Sequence, residues 1–197
     1  MLFLASRSPR RSELLRQLGL RFEVLEVSTE EIRRVGEPAE DYVSRVAREK
    51  AGAGLLQVGA VAGAVVLGAD TEVVLDGEVF GKPADATDAA RMLRRLSGRT
   101  HRVVSDVWCL TAAGEAHRSC RSEVGFRTLS DADIAAYVAT GEPFGKAGGY
   151  AIQGRAAAFV HHLAGSYSGV MGLPLFETAA LLQEAGCWPL DGEPAAR

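Results

Sequence analysis

The sequence is poor in cysteine, in aromatic residues and in any surplus of charge. Three cysteines, Cys109, Cys120 and Cys187, stand among 197 residues. So few, and odd in number, they exclude a disulfide framework and fit a reducing cytoplasm. Aromatic residues make up 7% and the net charge is −3. A nucleic-acid binder needs a basic surplus with aromatics interleaved, so that class is set aside. No signal peptide is expected, because MLFLASRSPRR puts its arginines after a short apolar run rather than before a long one. A 19-residue stretch without formal charge, 51–69, approaches membrane-spanning length. It is mostly Ala, Gly and Val, with five glycines. It reads as a helix end, a loop and a buried strand over about 64–69, so no membrane partner is expected.

What is present is ordinary for a soluble globular chain: 47% apolar and 24% charged residues. The length suits one domain over 1–197 and is ample for a core. Strand and helix patterns alternate, which predicts an α/β or α+β protein with a mixed sheet. LFLA reads as a strand and SPRRSELLRQLG as a helix, with Ser8 as cap, Pro9 at the first helical position and Gly19 as stop. RFEVLEVS reads as a second strand. Pro38 opens a helix to about Ala51, with Val43, Val46, Ala47 and Lys50 on one face. VVLGA then delivers Asp70 and Thr71 at its carboxyl end.

Further on, 87–96 reads as a helix, with Ala89, Met92, Leu93 and Leu96 at helical spacing and Gly98 as stop. HRVVSDVWCL and 122–129 read as antiparallel strands. Ser130 and Asp133 form a capping-box pattern for SDADIAAYVATG. AAFVHHLAG is a strand candidate and PLFETAALLQEAG the last helix. The tail DGEPAAR is expected to fray.

Four segments carry polar chemistry. Ser6-Arg7-Ser8-Pro9-Arg10-Arg11 lies where a strand turns into a helix. Free N–H groups, the helix dipole and forked guanidiniums suit phosphate there, although a capped, solvated helix start would look the same. Asp70 leaves the end of an apolar strand, where α/β sheets hold ligands; it can hold a divalent ion, take a proton from water or simply make a turn. Gly81-Lys82-Pro83, with Gly77 before it, and the stretch from Gly141 to Tyr150 each give Gly-x-x-x-Gly-Lys. Neither is a Walker A loop, since the spacing is one residue short and Pro or Ala replaces Ser/Thr. No strand is followed by G-x-G-x-x-G, so a dinucleotide site is not expected. His161-His162 would point to opposite strand faces, and His117-x-x-Cys120 has no second pair, so zinc is not expected. Glu30-Glu31 before Arg33-Arg34 would usually be a solvated charged face.

These strings occur in one chain, in a fixed order: LASRSPRRSELLRQLG, EEIRRVGEPAEDYVSRVAREKA, GADTEVV, GKPADATDAARMLRRLSGRTHRVVSDV, GEPFGKAGGYAIQG and GSYSGVMGLPL. The ordered set resembles the Maf family of nucleotide pyrophosphatases nearly end to end. The resemblance implies an elongated α/β fold, two lobes of a mixed sheet around a central cleft, related to the inosine-triphosphate pyrophosphatase fold. It implies hydrolysis of a nucleoside triphosphate to the monophosphate and pyrophosphate with a divalent metal, Mg²⁺ or Mn²⁺, in a cytoplasmic homodimer. Ile152-Gln153-Gly154 is similar to the branch preferring dTTP and UTP.

By the same resemblance, Asp70 is the proton acceptor, and Arg10, Thr71 and Gln153 are specificity positions. Ser8, Arg11, Glu31, Lys50, Lys82 and Lys146 match the polar set that meets phosphate or metal. Glu31 and Lys82 join Asp70 as the expected catalytic groups, and Asp70 and Glu31 as the expected metal ligands. The chain departs at Gly169, where many members have Asn, and at Asp106, where a small residue is common. Gln153 has a physical logic of its own: a carboxamide offers a donor and an acceptor to the C=O and N–H of uracil or thymine. Because the amide can flip for cytosine, rejecting cytosine needs a neighbour that fixes polarity, a backbone group or Thr71. Two rival readings stand beside this one: a pyrophosphatase for modified purine triphosphates, and a nucleotide-sensing or division-regulating binder with little turnover.

Overall fold

Residue alternation on one long strand organises the molecule. The computed structural model describes residues 1–188; the tail expected to fray lies outside them. The elements are β1 (Leu2–Ala5), α1 (Pro9–Gln17), β2 (Glu23–Leu25), α2 (Ala39–Val58), β3 (Val65–Leu75), β4 (Glu78–Phe80), α3 (Ala86–Leu96), β5 (Thr100–Thr111), β6 (Gly114–Phe126), α4 (Asp131–Val138), β7 (Val160–Ala164), α5 (Tyr167–Met171) and α6 (Leu175–Glu184). Seven strands form one mixed sheet in the order β2-β1-β3-β5-β6-β7, with β4 also on β3. β1 pairs parallel with β2 and β3, and the other pairs are antiparallel.

Side chains alternate across a strand. Val65, Leu67 and Ala69 of β3 enter one core with Leu2, Leu4, Leu14, Leu15 and Leu181. Val73 and Leu75, on the same face further along, enter a second core with Met92, Leu93, Val103, Phe126 and Tyr150. Thr71 falls at the junction between these two cores. The opposite face carries Val66, Gly68, Asp70, Glu72 and Val74 towards α2, which packs Val43 and Val46 around Val74. Each fully buried leucine or valine contributes about 1.5–3 kcal/mol.

The edge of β3 explains the cleft. β1 covers it at 65–67 and β4 at 73–75, which leaves 68–72 without a strand partner on that side. Asp70 and Thr71 lie in this gap.

Several expectations on element limits are corrected. α2 runs to Val58, past the expected end near Ala51, because Gly52 and Gly54 do not stop it. A Cβ on Gly54 would meet Ala5 Cβ and Val66 Cγ1 at 2.9 Å, so this glycine lets the helix lie close on the sheet. β3 extends to Leu75, and β6 starts at Gly114, eight residues before the expected position. β2 is only three residues long. Ser8 is the N-cap of α1 by position, but its side chain makes no cap hydrogen bond. The Ser130–Asp133 capping box is present as expected. β4 and α5 are additional to the elements expected from the sequence.

Candidate active site

A cleft of about 480 Å³ opens at the gap beside β3. Ser8, Arg10, Arg11, Glu31, Lys50, Asp70, Thr71, Lys82, Lys146 and Gln153 all line it, so every residue expected in the site is brought to one hollow. Arg7 and Glu72 line it too. Six cationic side chains outnumber three carboxyl groups there, in a chain whose net charge is −3. An apolar strip, Val73, Val103, Tyr150, Ile152 and Met171, completes the wall. One end therefore suits an anion and the other a flat, largely apolar group.

α2 builds the centre of the site. Lys50, on its buried face, sends Nζ to Asp70 Oδ1 and Glu31 Oε1, both at 2.7 Å. Lys82 Nζ meets Glu31 Oε2 at 2.5 Å. Arg11 Nη2 lies 3.9 Å from Asp70 Oδ1, while its Nε donates to the Gly172 carbonyl at 2.8 Å. Burial works to raise the Glu31 pKa, but the hydrogen bonds and charges of Lys50 and Lys82 outweigh it and bring the carboxyl down to about 2. Glu31 is ionised at any working pH, and the expectation of a plainly solvated charged face gives way at this residue.

Glu31 sits on a segment with no regular structure, and α2 staples it. Tyr42 Oη donates to the Glu31 carbonyl at 3.0 Å. Arg45 holds Glu37 through Nε at 2.7 Å and Nη2 at 2.9 Å, and donates to the Ile32 carbonyl at 3.0 Å. The two lysine loops are joined in turn, since Gly148 N–H donates to the Gly81 carbonyl at 3.1 Å. Lys146 Nζ donates to the Glu142 carbonyl at 2.5 Å. Burial lowers the pKa of Lys146, and Arg10 lowers it further. Burial lowers Arg10 as well, then repulsion from Arg11. An anion between these cations relieves that repulsion.

Two carboxylates were missed in the sequence. Glu72 lies two residues beyond Asp70, so both project from one face of β3. It is 8% exposed and its Oε2 has no hydrogen-bond partner. Burial, then the Asp70 charge, pushes its pKa up to about 8. The Asp-x-Glu alternation on a strand was the signal for it. Glu142 builds the Gln153 loop: it accepts from Tyr137 Oη at 2.8 Å and from Arg155 N–H at 3.1 Å. A Cβ on Gly154 would lie 2.4 Å from Glu142 Oε1, so a larger residue there would make that carboxylate shift.

The donor set fits a hard divalent cation. Among the described residues, no three His, Cys, Asp or Glu side chains group closely enough to cage an ion alone. Mg²⁺ asks for less: one or two carboxylates, with water and phosphate oxygens completing the shell. Asp70 and Glu31 offer such oxygens, and the unpartnered Glu72 Oε2 is a polar atom in need of a cation.

The fold and the cleft together define a class: an α/β protein whose mixed sheet parts around a cation-lined hollow for an anionic ligand. The chain belongs to the Maf family; the description Maf-like protein matches residues 1–185. A protein of Xanthomonas axonopodis pv. citri (strain 306) named dTTP/UTP pyrophosphatase is 57% identical over 188 residues, 94% of this chain and 99% of that one. One of the same name from Ralstonia nicotianae (strain ATCC BAA-1114 / GMI1000) is 55% identical over 193 residues, covering 93% of each. A Xylella fastidiosa (strain M23) protein named nucleoside triphosphate pyrophosphatase is 57% identical over 183 residues, 92% of this chain and 97% of its own.

Proposed function

We propose that the protein is a nucleoside triphosphate pyrophosphatase that hydrolyses dTTP and UTP to the monophosphate and pyrophosphate. One observation carries the reading: an acid–lysine centre of Asp70, Lys50 and Glu31 sits in a cleft with a surplus of cations and an apolar strip. The names of the relatives point the same way.

A triphosphate carries about four negative charges near neutral pH. Arg10 and Lys146, whose mutual repulsion an anion relieves, bind it, with Lys82 and the start of α1. Asp70 and Glu31 would hold Mg²⁺ or Mn²⁺, with Glu72 beside them. When bound, the ion lowers the pKa of a water and neutralises charge on the leaving pyrophosphate. Asp70 takes a proton from the attacking water, and Lys50, donating to its Oδ1 at 2.7 Å, holds the carboxylate in place. Water attacks the α-phosphorus and the bond to the β-phosphate breaks. The rate comes from positioning and charge stabilisation. Gln153 pairs with the base edge, against the apolar strip.

A metal-dependent pyrophosphate-release assay over canonical and modified triphosphates tests this. dTTP and UTP are expected to lead. Dominant purine turnover would move the activity to modified purines. Calorimetric dTTP binding without pyrophosphate release would make the protein a sensor. The same reading carries a cytoplasmic homodimer; light scattering should give twice the 20.9 kDa chain mass.

A further inference from the structure

The polarity of one hydroxyl in the cleft is decided by two hydrogen bonds behind it. Thr71 stands opposite Ser105 in the pairing of β3 and β5. Thr71 Oγ1 and Ser105 Oγ are 2.7 Å apart, and Ser105 Oγ lies 2.7 Å from the Gly169 carbonyl oxygen. A carbonyl only accepts, and a serine hydroxyl has one proton. Ser105 therefore spends its proton on Gly169. In the bond between the hydroxyls Ser105 accepts, and Thr71 must donate. The Thr71 proton is turned into the protein, and its oxygen offers the cleft lone pairs alone.

The far end of this chain is rigid. Ser105 is 1% exposed, so no water replaces its partner. The Gly169 peptide is held on both sides: its N–H donates to Ser166 Oγ at 3.0 Å, and its carbonyl also accepts from Gly172 N–H at 3.0 Å. The contact is to the backbone, so glycine at this position leaves it intact. A Cβ there would stand 3.1 Å from Ser166 Cβ and 3.3 Å from Cys120 Sγ.

We propose that Ser105 is a positioning residue that makes Thr71 an obligate acceptor, and thereby selects uracil and thymine over cytosine. With Gln153 on the neighbouring exocyclic group, uracil and thymine present an N3–H to Thr71, whereas cytosine presents an N3 lone pair. Gln153 can flip to suit either edge, whereas a hydroxyl locked by Ser105 and Gly169 cannot. Against cytosine the locked oxygen meets a lone pair, an unpaired polar contact that weakens transition-state binding on the order of 10- to 100-fold. This rests on the pyrophosphatase reading above, and it adds the element that fixes base polarity.

The test compares kcat/KM for UTP and CTP in wild type, Ser105→Ala and Ser105→Thr. Wild type is expected to favour UTP. Ser105→Ala frees the Thr71 proton to turn into the cleft, so the UTP:CTP ratio should fall about tenfold, while Ser105→Thr keeps the relay and the ratio. A general loosening would lower both substrates together and leave the ratio alone. If Ser105→Ala does not fold, Thr71→Val removes the acceptor and should collapse the ratio likewise. An unchanged ratio in the folded variant, or a wild type indifferent to the two bases, overturns the relay. A wild type that releases no pyrophosphate from dTTP or UTP overturns the activity reading instead. The relay is then decided by calorimetry with UMP and CMP, where the same fall in preference supports it and no change overturns it.

Discussion

Asp70 is almost buried, yet it is not an isolated charge. Lys50 meets it at 2.7 Å and Arg11 stands at 3.9 Å. Asp70→Asn keeps the shape and removes the proton acceptor. Lys50 keeps Glu31 as a partner at 2.7 Å, so it is not left as an unpaired buried charge. The expected outcome is a loss of about 10²- to 10⁴-fold in kcat with a cooperative melt preserved, read by pyrophosphate release and calorimetry. Near-wild-type turnover with saturating metal would remove Asp70 from its role.

Glu72 gives a second prediction at this scale, with a definite sign. Its folded pKa of about 8, set by burial and then Asp70, lies above the ordinary carboxylate value. Below about pH 4.5 both the folded and unfolded states hold the proton, so nothing is lost. Between there and about 8 the unfolded chain releases it first, and the metal-free protein loses stability as pH rises. Glu72→Gln mimics the protonated form. Its Tm in metal-free buffer should exceed wild type by a margin that grows over that window and then levels off. A margin flat with pH would contradict the assignment.

At the scale of elements, the packing of α2 on β3 sets the distance between Lys50 and Asp70. Gly68 makes it possible: a Cβ there would lie 2.4 Å from the Ala47 carbonyl oxygen and 2.5 Å from Ala51 N. Both obstacles are backbone, so Gly68→Ala must push the helix outward. It should cost about 1–3 kcal/mol and lower kcat/KM as well, because Lys50 moves with its helix. Measured Tm and pyrophosphate release check both. A fully active, fully stable variant would show that the helix has room.

The same glycines show why parts of the fold were legible in the sequence and others were not. α3 and α4 were readable because helical spacing and caps agreed with tertiary packing. α2 was cut short because Gly52 and Gly54 look like a stop, when Gly54 serves close contact with Ala5 and Val66, a relation between distant segments. Strand length depended on pairing: β5 and β6 template each other over twelve residues each, including polar stretches such as 114–121. Arg11 and Glu31 stand out only through family likeness, since their local patterns fit a solvated surface equally well. Glu72 escaped although its strand alternation with Asp70 was visible, and the Ser105 relay was beyond reach because its three members are distant in sequence.

On the scale of the whole molecule, a gap in one sheet does the organising. Two cores on the same face of β3 separate at Thr71, and at the uncovered edge residues 70–72 line the cleft. Segments from residue 5 to residue 172 meet there. Among the described residues no helix is long and apolar enough to cross a membrane. The Gln153 loop, braced by Glu142, belongs to this scale because it brings a distant part of the chain to the cleft wall. Gln153→Glu adds a charge near the base and should lower kcat/KM for dTTP and UTP by about tenfold or more relative to other nucleotides, read on a substrate panel. Unchanged relative values would reject a base-reading role.

In the proposed reaction water displaces pyrophosphate from the α-phosphorus. Hydrolysis of dTTP in ¹⁸O-labelled water, followed by mass spectrometry of both products, reads it directly. Attack at the α-phosphorus puts one labelled oxygen in dTMP and none in pyrophosphate. Label in pyrophosphate, or release of orthophosphate in its place, would contradict the mechanism.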